Sequence, residues 1–177
     1  MDEPRDIIKY WRDDMVAFLL PCSYSFEGVL RSYNIKFRYM GAFNSNIPAV
    51  PAGRFKNDNM IVSLRLFATK HDAIRAAQVT SRLPFAHGSP IHIGAPSEIG
   101  IEDIEPTNSS PYPPPTKPQL PGEICVAWAC ANTPARATIA AKPPLAIMHY
   151  PSMVFVSDHH SEEFAFTEEV GTNLTLT

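Results

Sequence analysis

The chain has 177 residues, 45% of them hydrophobic and 19% charged, with a net charge of -3 and a pI near 6.0. That composition is ordinary for a globular protein, and its weak acidity excludes the basic footprint of a nucleic-acid binder. No apolar run reaches transmembrane length, and the start Met1-Asp-Glu-Pro-Arg5 lacks a secretory n-region and h-region. The expectation is a cytoplasmic or mitochondrial-matrix protein with no membrane partner. Three cysteines, Cys22, Cys125 and Cys130, give no disulfide framework and fit a reducing compartment.

In chain order, residues 6–20 predict an amphipathic helix. Ile7, Ile8, Trp11, Met15, Phe18 and Leu19 fall on one face, Arg12, Asp13 and Asp14 on the other, and Pro21 stops it. Cys22 and Ser23 then open a second short helix carrying Phe26, Val29, Leu30 and Tyr33. A thiol at a helix N-terminus has a depressed pKa and a carboxylate ligand is favoured there; the plain alternative is a buried Cys22 with Ser23 as N-cap. Glu27, one turn on, is either a general acid or base or an ordinary surface residue.

Lys36–Met40 alternates as a strand, and Gly41 to Gly53 reads as a loop containing Asn46, Pro48 and Pro51. Asn59–Phe67 reads as a buried strand with Arg65 near its end. An arginine there needs either an internal ion pair or a ligand such as a substrate carboxylate. Thr69-x-x-Asp72 is a capping signal for a helix over residues 70–82. After it comes Ser81-Arg-Leu-Pro-Phe-Ala-His-Gly-Ser-Pro-Ile-His-Ile-Gly94, which gathers Ser81, Arg82, His87, Gly88, His92 and Gly94 in one loop. Such density of functional groups beside glycines suits a binding or catalytic loop, and His87 is the natural proton carrier.

Ser97 to Ile104 reads as a short helix or turn after Pro96, and Glu98, Glu102, Asp103 and Glu105 read as a solvated acidic face. Pro106 to Pro121 holds seven of the 18 prolines and reads as an extended connection. It divides the chain into residues 1–105, 106–121, 122–158 and a polar, poorly ordered tail over 159–177. Glu123 to Cys130 is a strand with Ile124, Val126 and Trp128 on one face and Cys125 and Ala127 on the other. Thr133-Pro134 caps a helix over Ala135–Lys142, and Leu145–Met148 is the next strand. Strand, helix and strand make a βαβ unit, which sets Cys130 and His149 at matched strand ends that can face one pocket; the alternatives are a core Cys130 and a structural His149. Met153–Ser157 is a further strand. The fold expected is α+β with a mixed sheet and this βαβ element, with two subdomains joined through the proline-rich connection as one arrangement.

No spacing matches a zinc finger or a His-Glu-x-x-His site; His87, His92 and Cys130 are the one combination weighed for zinc. There is no phosphate loop and no nucleophile elbow. The sequons at Asn108 and Asn173 read as chance.

Five ordered blocks carry a resemblance. They are Trp11–Phe18 running into Cys22, Ser23, Phe26 and Glu27; Asn46-Ile-Pro48 with Pro51-Ala-Gly53; Met60–Arg65; Thr80–Gly94; and Trp128–Cys130 with Thr133-Pro134, Pro143–Ile147 and His149. Together they resemble the D-glutamate cyclase family of hydro-lyases. The resemblance implies cofactor-independent conversion of D-glutamate to 5-oxo-D-proline and water, with no metal and a small amino acid or carboxylate as the partner. Cyclisation needs a general base, a general acid and an oxyanion stabiliser. The residues assigned are His87, His149, Cys130 and Cys22 as catalytic, and Arg65, Ser81, Arg82, Gly88, His92, Asn46 and Glu27 as substrate-binding. The chain departs from the family pattern at Ala49, where a cysteine is usual, at Met153, where a second histidine is usual, and at Ser152, where glycine is usual. It is also shorter ahead of Asp6. These departures leave two alternatives, a non-catalytic member that associates with a partner or itself, and a hydro-lyase for another small acid.

Overall fold

The computed structural model describes residues 3–102, 104, 119–150 and 153–166. The fold is α+β. Three helices, α1 (Ser25–Ser32), α2 (Lys70–Ser81) and α3 (Asn132–Ala141), accompany four strands, β1 (Arg38–Pro48), β2 (Asn59–Phe67), β3 (His92–Ile93) and β4 (Ile124–Ala129). The sheet order is β1-β2-β4-β3, with every neighbouring pair antiparallel. Segments on both sides of the proline-rich connection thus share one sheet.

β2 is central because its side chains are buried on both faces. Val62, Leu64 and Leu66 pack with Met40, Phe43, Ile99, Ile101, Cys125 and Ala127. On the opposite face, Phe67 packs with Val126 and Trp128 beneath α1 and α2, against Phe26, Leu30, Ala73 and Ala76. The two faces of β4 divide as their alternation predicts. Trp128 has no exposed surface, and its indole N–H donates to the Thr80 hydroxyl at 3.2 Å, which ties β4 to α2.

The capping signal for α2 acts as expected, whereas α1 departs from its expected start. The Thr69 hydroxyl accepts from the Asp72 N–H at 3.0 Å and starts α2. Asn34, at φ 56°, stops α1, and the Ile35 N–H reaches back to the Leu30 carbonyl at 2.9 Å. Tyr24, not Ser23, occupies the N-cap of α1.

Several expectations are corrected. Residues 6–20 form only a 3-10 turn over Ile8–Tyr10, and Trp11, Phe18 and Leu19 are exposed. A short amphipathic helix depends on packing its apolar stripe, and nothing among the described residues covers this one. β1 runs through the predicted loop to Pro48, because pairing with β2 overrides its loop-like composition. One extra residue, Met40, is accommodated beside Gly41 at φ 107°. Thr133 lies inside α3 and caps nothing; Ala131 holds the N-cap. Residues 145–148 and 153–157 form no strand, so the βαβ element is absent and the sheet of the described residues is antiparallel throughout. Residues up to Phe166 in the predicted tail are tied down: the Ser161 hydroxyl donates to the Ser25 carbonyl and the Phe166 N–H to the Arg82 carbonyl. Asp103, Glu105, residues 106–118, both sequons, Ser152 and residues 167–177 lie outside the described residues. No helix among the described residues is long and apolar enough to cross a membrane.

Candidate functional site

Arg65 is the centre of the only group of sequence-predicted residues that the described structure gathers. It stands in β2 with no exposed surface, on the helix side of the sheet, directly across from Tyr39 on β1 and Val126 on β4. Its guanidinium lies 4.8 Å from the Tyr39 ring, 5.0 Å from Phe26 and 5.9 Å from Trp128. Nη2 donates to Glu27 at 2.7 Å and to the Ser23 hydroxyl at 3.1 Å, and Nη1 donates to Ser63. Glu27 takes a second guanidinium, Arg31, at 2.9 Å on its other oxygen. The internal ion pair weighed from the sequence is therefore formed, with Glu27 shared between two arginines.

α1 explains how Ser23 and Glu27 reach the arginine. Its buried face carries Phe26, Glu27, Val29 and Leu30 over the sheet, and Ser23 precedes it by two residues. Glu27 in the first turn also faces the positive end of the helix.

Three partly buried side chains feel the charge of Arg65. His87 is one. Burial, then the Arg65 charge, lower its pKa to about 4, so the imidazole is neutral near pH 7. Its backbone is left-handed at φ 75°, a conformation costing about 1–2 kcal/mol outside glycine. Its Nε2 is buried without a hydrogen-bond partner; among the described residues only Arg65 Nε shares that condition. Strain and an unpartnered buried nitrogen on one residue are unusual for a structural histidine.

Cys22 and Cys130 are the other two. Burial pushes the Cys22 thiol up, opposed by the N–H of Tyr24 and by Arg65. This corrects the depressed pKa expected at a helix N-terminus: desolvation outweighs the backbone donors. Burial raises Cys130 as well, opposed by the Asn132 N–H at the start of α3 and by Arg65, and reinforced by Cys22. The Cys130 N–H donates to the Ile61 carbonyl, which continues the β4–β2 edge past Ala129. Cys130 thus lies beside Ile61, two positions before Ser63 on β2.

The remaining predicted residues stand elsewhere or are already engaged. Ser81 is exposed and donates to the Gln78 carbonyl at 2.8 Å. Arg82 is exposed and contacts the Phe166 carbonyl at 3.4 Å. The Gly88 N–H donates to the Leu83 carbonyl at 2.9 Å. His92 pairs with Ala127 in the sheet, and its ring meets the Ala95 carbonyl at 3.1 Å. Asn46 packs against Gly100. His149 is exposed beside the Tyr150 carbonyl, and without the second parallel strand the geometry expected to pair it with Cys130 is absent. Among the described residues no three His, Cys, Asp or Glu side chains form a metal set, and His87, His92 and Cys130 do not.

Sequence reading missed Ser63 and Tyr39, and treated Ser23 as a cap only. The available signal was the pair Ser63 and Arg65, two residues apart on one face of an otherwise apolar strand.

The family model described as D-glutamate cyclase matches residues 16–158. Three relatives, each named "Putative hydro-lyase", are similar to the chain. The one from Rhodopseudomonas palustris (strain TIE-1) is 44% identical over 172 residues, which covers 93% of this chain and 61% of the relative. That from Bacillus licheniformis is 43% identical over 176 residues, covering 92% and 62%. The Azorhizobium caulinodans relative is 44% identical over 164 residues, covering 89% and 58%. The chain spans about six tenths of the length of the curated relatives it matches. No solved structure matches it.

Proposed function

The chain belongs to the D-glutamate cyclase family, and we propose that it is a hydro-lyase that closes D-glutamate to 5-oxo-D-proline around Arg65 and His87. The observation that carries this reading is His87: strained, partly buried and neutral, with Nε2 unpartnered and the ring within the field of the buried Arg65.

The reaction forms a bond from the α-nitrogen to the carbon of the γ-carboxyl group and breaks one carbon–oxygen bond of that group. Two protons leave the ammonium and two arrive on the departing oxygen, which leaves as water. A neutral imidazole can accept the first of these protons. Its basicity is low because burial, and then the Arg65 charge, oppose the imidazolium. A substrate carboxylate brings negative charge and raises it. Two guanidiniums share one carboxylate in Glu27, so the group carries one excess positive charge suited to an anionic substrate. Cys22 and Cys130, protonated near neutral pH by burial, are candidate donors to the departing oxygen.

The test is incubation of the purified chain with D-glutamate and, separately, L-glutamate, followed by chiral chromatography. Formation of 5-oxo-D-proline from the D-isomer supports the reading. A folded chain that yields none overturns it.

A further inference from the structure

Cyclisation needs a donor for the oxygen that gains charge as nitrogen attacks, and the donors expected from the sequence are already engaged. Ser81 donates to Gln78 and the Gly88 N–H to Leu83. The hydroxyls of Ser23 and Ser63 offer another.

A serine hydroxyl has one hydrogen to give and two positions at which to accept. The Ser23 Oγ accepts from Arg65 Nη2 at 3.1 Å, and the Ser63 Oγ accepts from Arg65 Nη1. The two oxygens also lie 3.3 Å apart, so one hydroxyl donates to the other. Two hydroxyls hold two hydrogens, and their mutual bond uses one. The second has no acceptor among the described residues, although Ser23 is 5% exposed and Ser63 1%. A buried O–H with nothing to donate to is disfavoured, and an arriving ligand oxygen relieves it.

Either hydroxyl can donate across the 3.3 Å contact, and the greater exposure of Ser23 favours it as the holder of the unused hydrogen. Ser63 is enclosed in β2, opposite Trp128 on β4. Ser23 follows the partly exposed Cys22 and lies nearer the surface. With Ser63 as the donor to Ser23, the Ser23 hydrogen is left for a ligand oxygen. Arg65 behind both oxygens polarises the chain of hydrogen bonds. The excess positive charge from Arg31 and Arg65 over Glu27 selects a negatively charged acceptor.

We propose that Ser23 is a catalytic donor to the reacting carboxyl group of the substrate, with Ser63 and Arg65 as positioning residues behind it. This rests on the cyclisation reading above and names a residue for its oxyanion step. The donor is pre-oriented, and no reorganisation is needed as charge develops on the oxygen.

The test uses the full chain, D-glutamate turnover and calorimetric binding of glutarate, a dicarboxylate that cannot cyclise. Ser23→Ala is compared with wild type, with urea unfolding to show that it is folded; Ser23→Cys keeps the volume and replaces a strong donor by a weak one. The expected result is a fall in kcat/KM of about 10²–10³-fold for Ser23→Ala. Glutarate binding is expected to weaken about tenfold or more. Ser23→Cys is expected to lose less in both measurements. Turnover by wild type with Ser23→Ala within about threefold of it overturns the role of Ser23 and leaves the cyclisation reading standing. If wild type does not turn D-glutamate over, the cyclisation reading fails and glutarate decides the rest. Binding that weakens in Ser23→Ala then supports Ser23 as an anion donor, and binding that is absent or unchanged overturns it.

Discussion

Arg65 and Glu27, 38 positions apart, meet at 2.7 Å under the first turn of α1, where Arg65 has no exposed surface and the Glu27 side chain is 10% exposed. The pair fixes α1 to the centre of the sheet and gives the candidate site its charge. Each remaining bond of Arg65, to Ser23 and to Ser63, depends on the same guanidinium orientation.

Removing Glu27 leaves that buried cation without its counter-charge. Such a loss costs about 3–5 kcal/mol, a large share of the 5–15 kcal/mol of a typical domain. Glu27→Ala is therefore expected to lower the urea midpoint steeply. Glu27→Gln keeps an acceptor oxygen and should lose less. A loss below about 1 kcal/mol for Glu27→Ala would mean that Arg65 is hydrated in solution.

His87 makes stability depend on pH. Its pKa is about 4 in the folded chain against an ordinary 6.5. The unfolded chain therefore binds the proton first as pH falls. The stabilisation is complete above about 6.5, is lost between 6.5 and about 4, and changes no further below that. Two and a half pH units correspond to no more than about 3.4 kcal/mol, and less with partial exposure. His87→Asn keeps a residue tolerant of the left-handed backbone and removes the titration. Urea unfolding at pH 7 and pH 4.5 should show a smaller acid loss in the variant than in wild type; equal losses would contradict the assignment.

Thr133 holds α3 to β2 through one residue. Its hydroxyl accepts from the Ile61 N–H at 2.9 Å and donates to the Ile61 carbonyl at 3.1 Å. Thr133→Val keeps the shape and leaves the N–H without that acceptor. The expected loss is about 1–3 kcal/mol in denaturant unfolding. No loss would mean that water replaces the hydroxyl.

The cysteines should label in a fixed order. Alkylation requires the thiolate, and burial raises all three, Cys125 to about 12. With iodoacetamide at pH 7.5, native protein should leave Cys125 unmodified and label Cys22 and Cys130 slowly, whereas all three react in urea. Peptide mass spectrometry reads the order. Rapid labelling of Cys22 in the native chain would restore the depressed thiol expected from its helix N-terminus.

The central strands and α2 are legible in the sequence because their signals agree with their surroundings. β2 matches its predicted bounds, and Thr69 caps α2 as its spacing implies. Periodicity reports a stripe and says nothing of what covers it. Residues 6–20 have the stripe and no cover among the described residues. Leu145–Met148 is apolar enough for a strand but finds no ladder partner. β1 was hidden by Gly41, Asn44, Ser45 and Pro48, which read as loop until β2 supplies the hydrogen bonds.

In the site, Arg65 was legible because a charge inside an apolar strand demands a partner. His87 was legible from its loop. Ser63 was missed because its one signal, the place two residues before Arg65 on the same face, gains meaning only when the partners of Arg65 are known. His149 was misplaced because its position depended on a parallel strand that does not form.

The most direct measurement is the rate of 5-oxo-D-proline formation from D-glutamate by wild type, His87→Asn and His149→Ala, each shown folded by circular dichroism. A general base contributes about 10²–10⁴-fold. The expected result is a loss of that size in His87→Asn and a rate within about twofold of wild type in His149→Ala. Equal rates in wild type and His87→Asn, or a loss confined to His149→Ala, would contradict the assignment of proton transfer to His87.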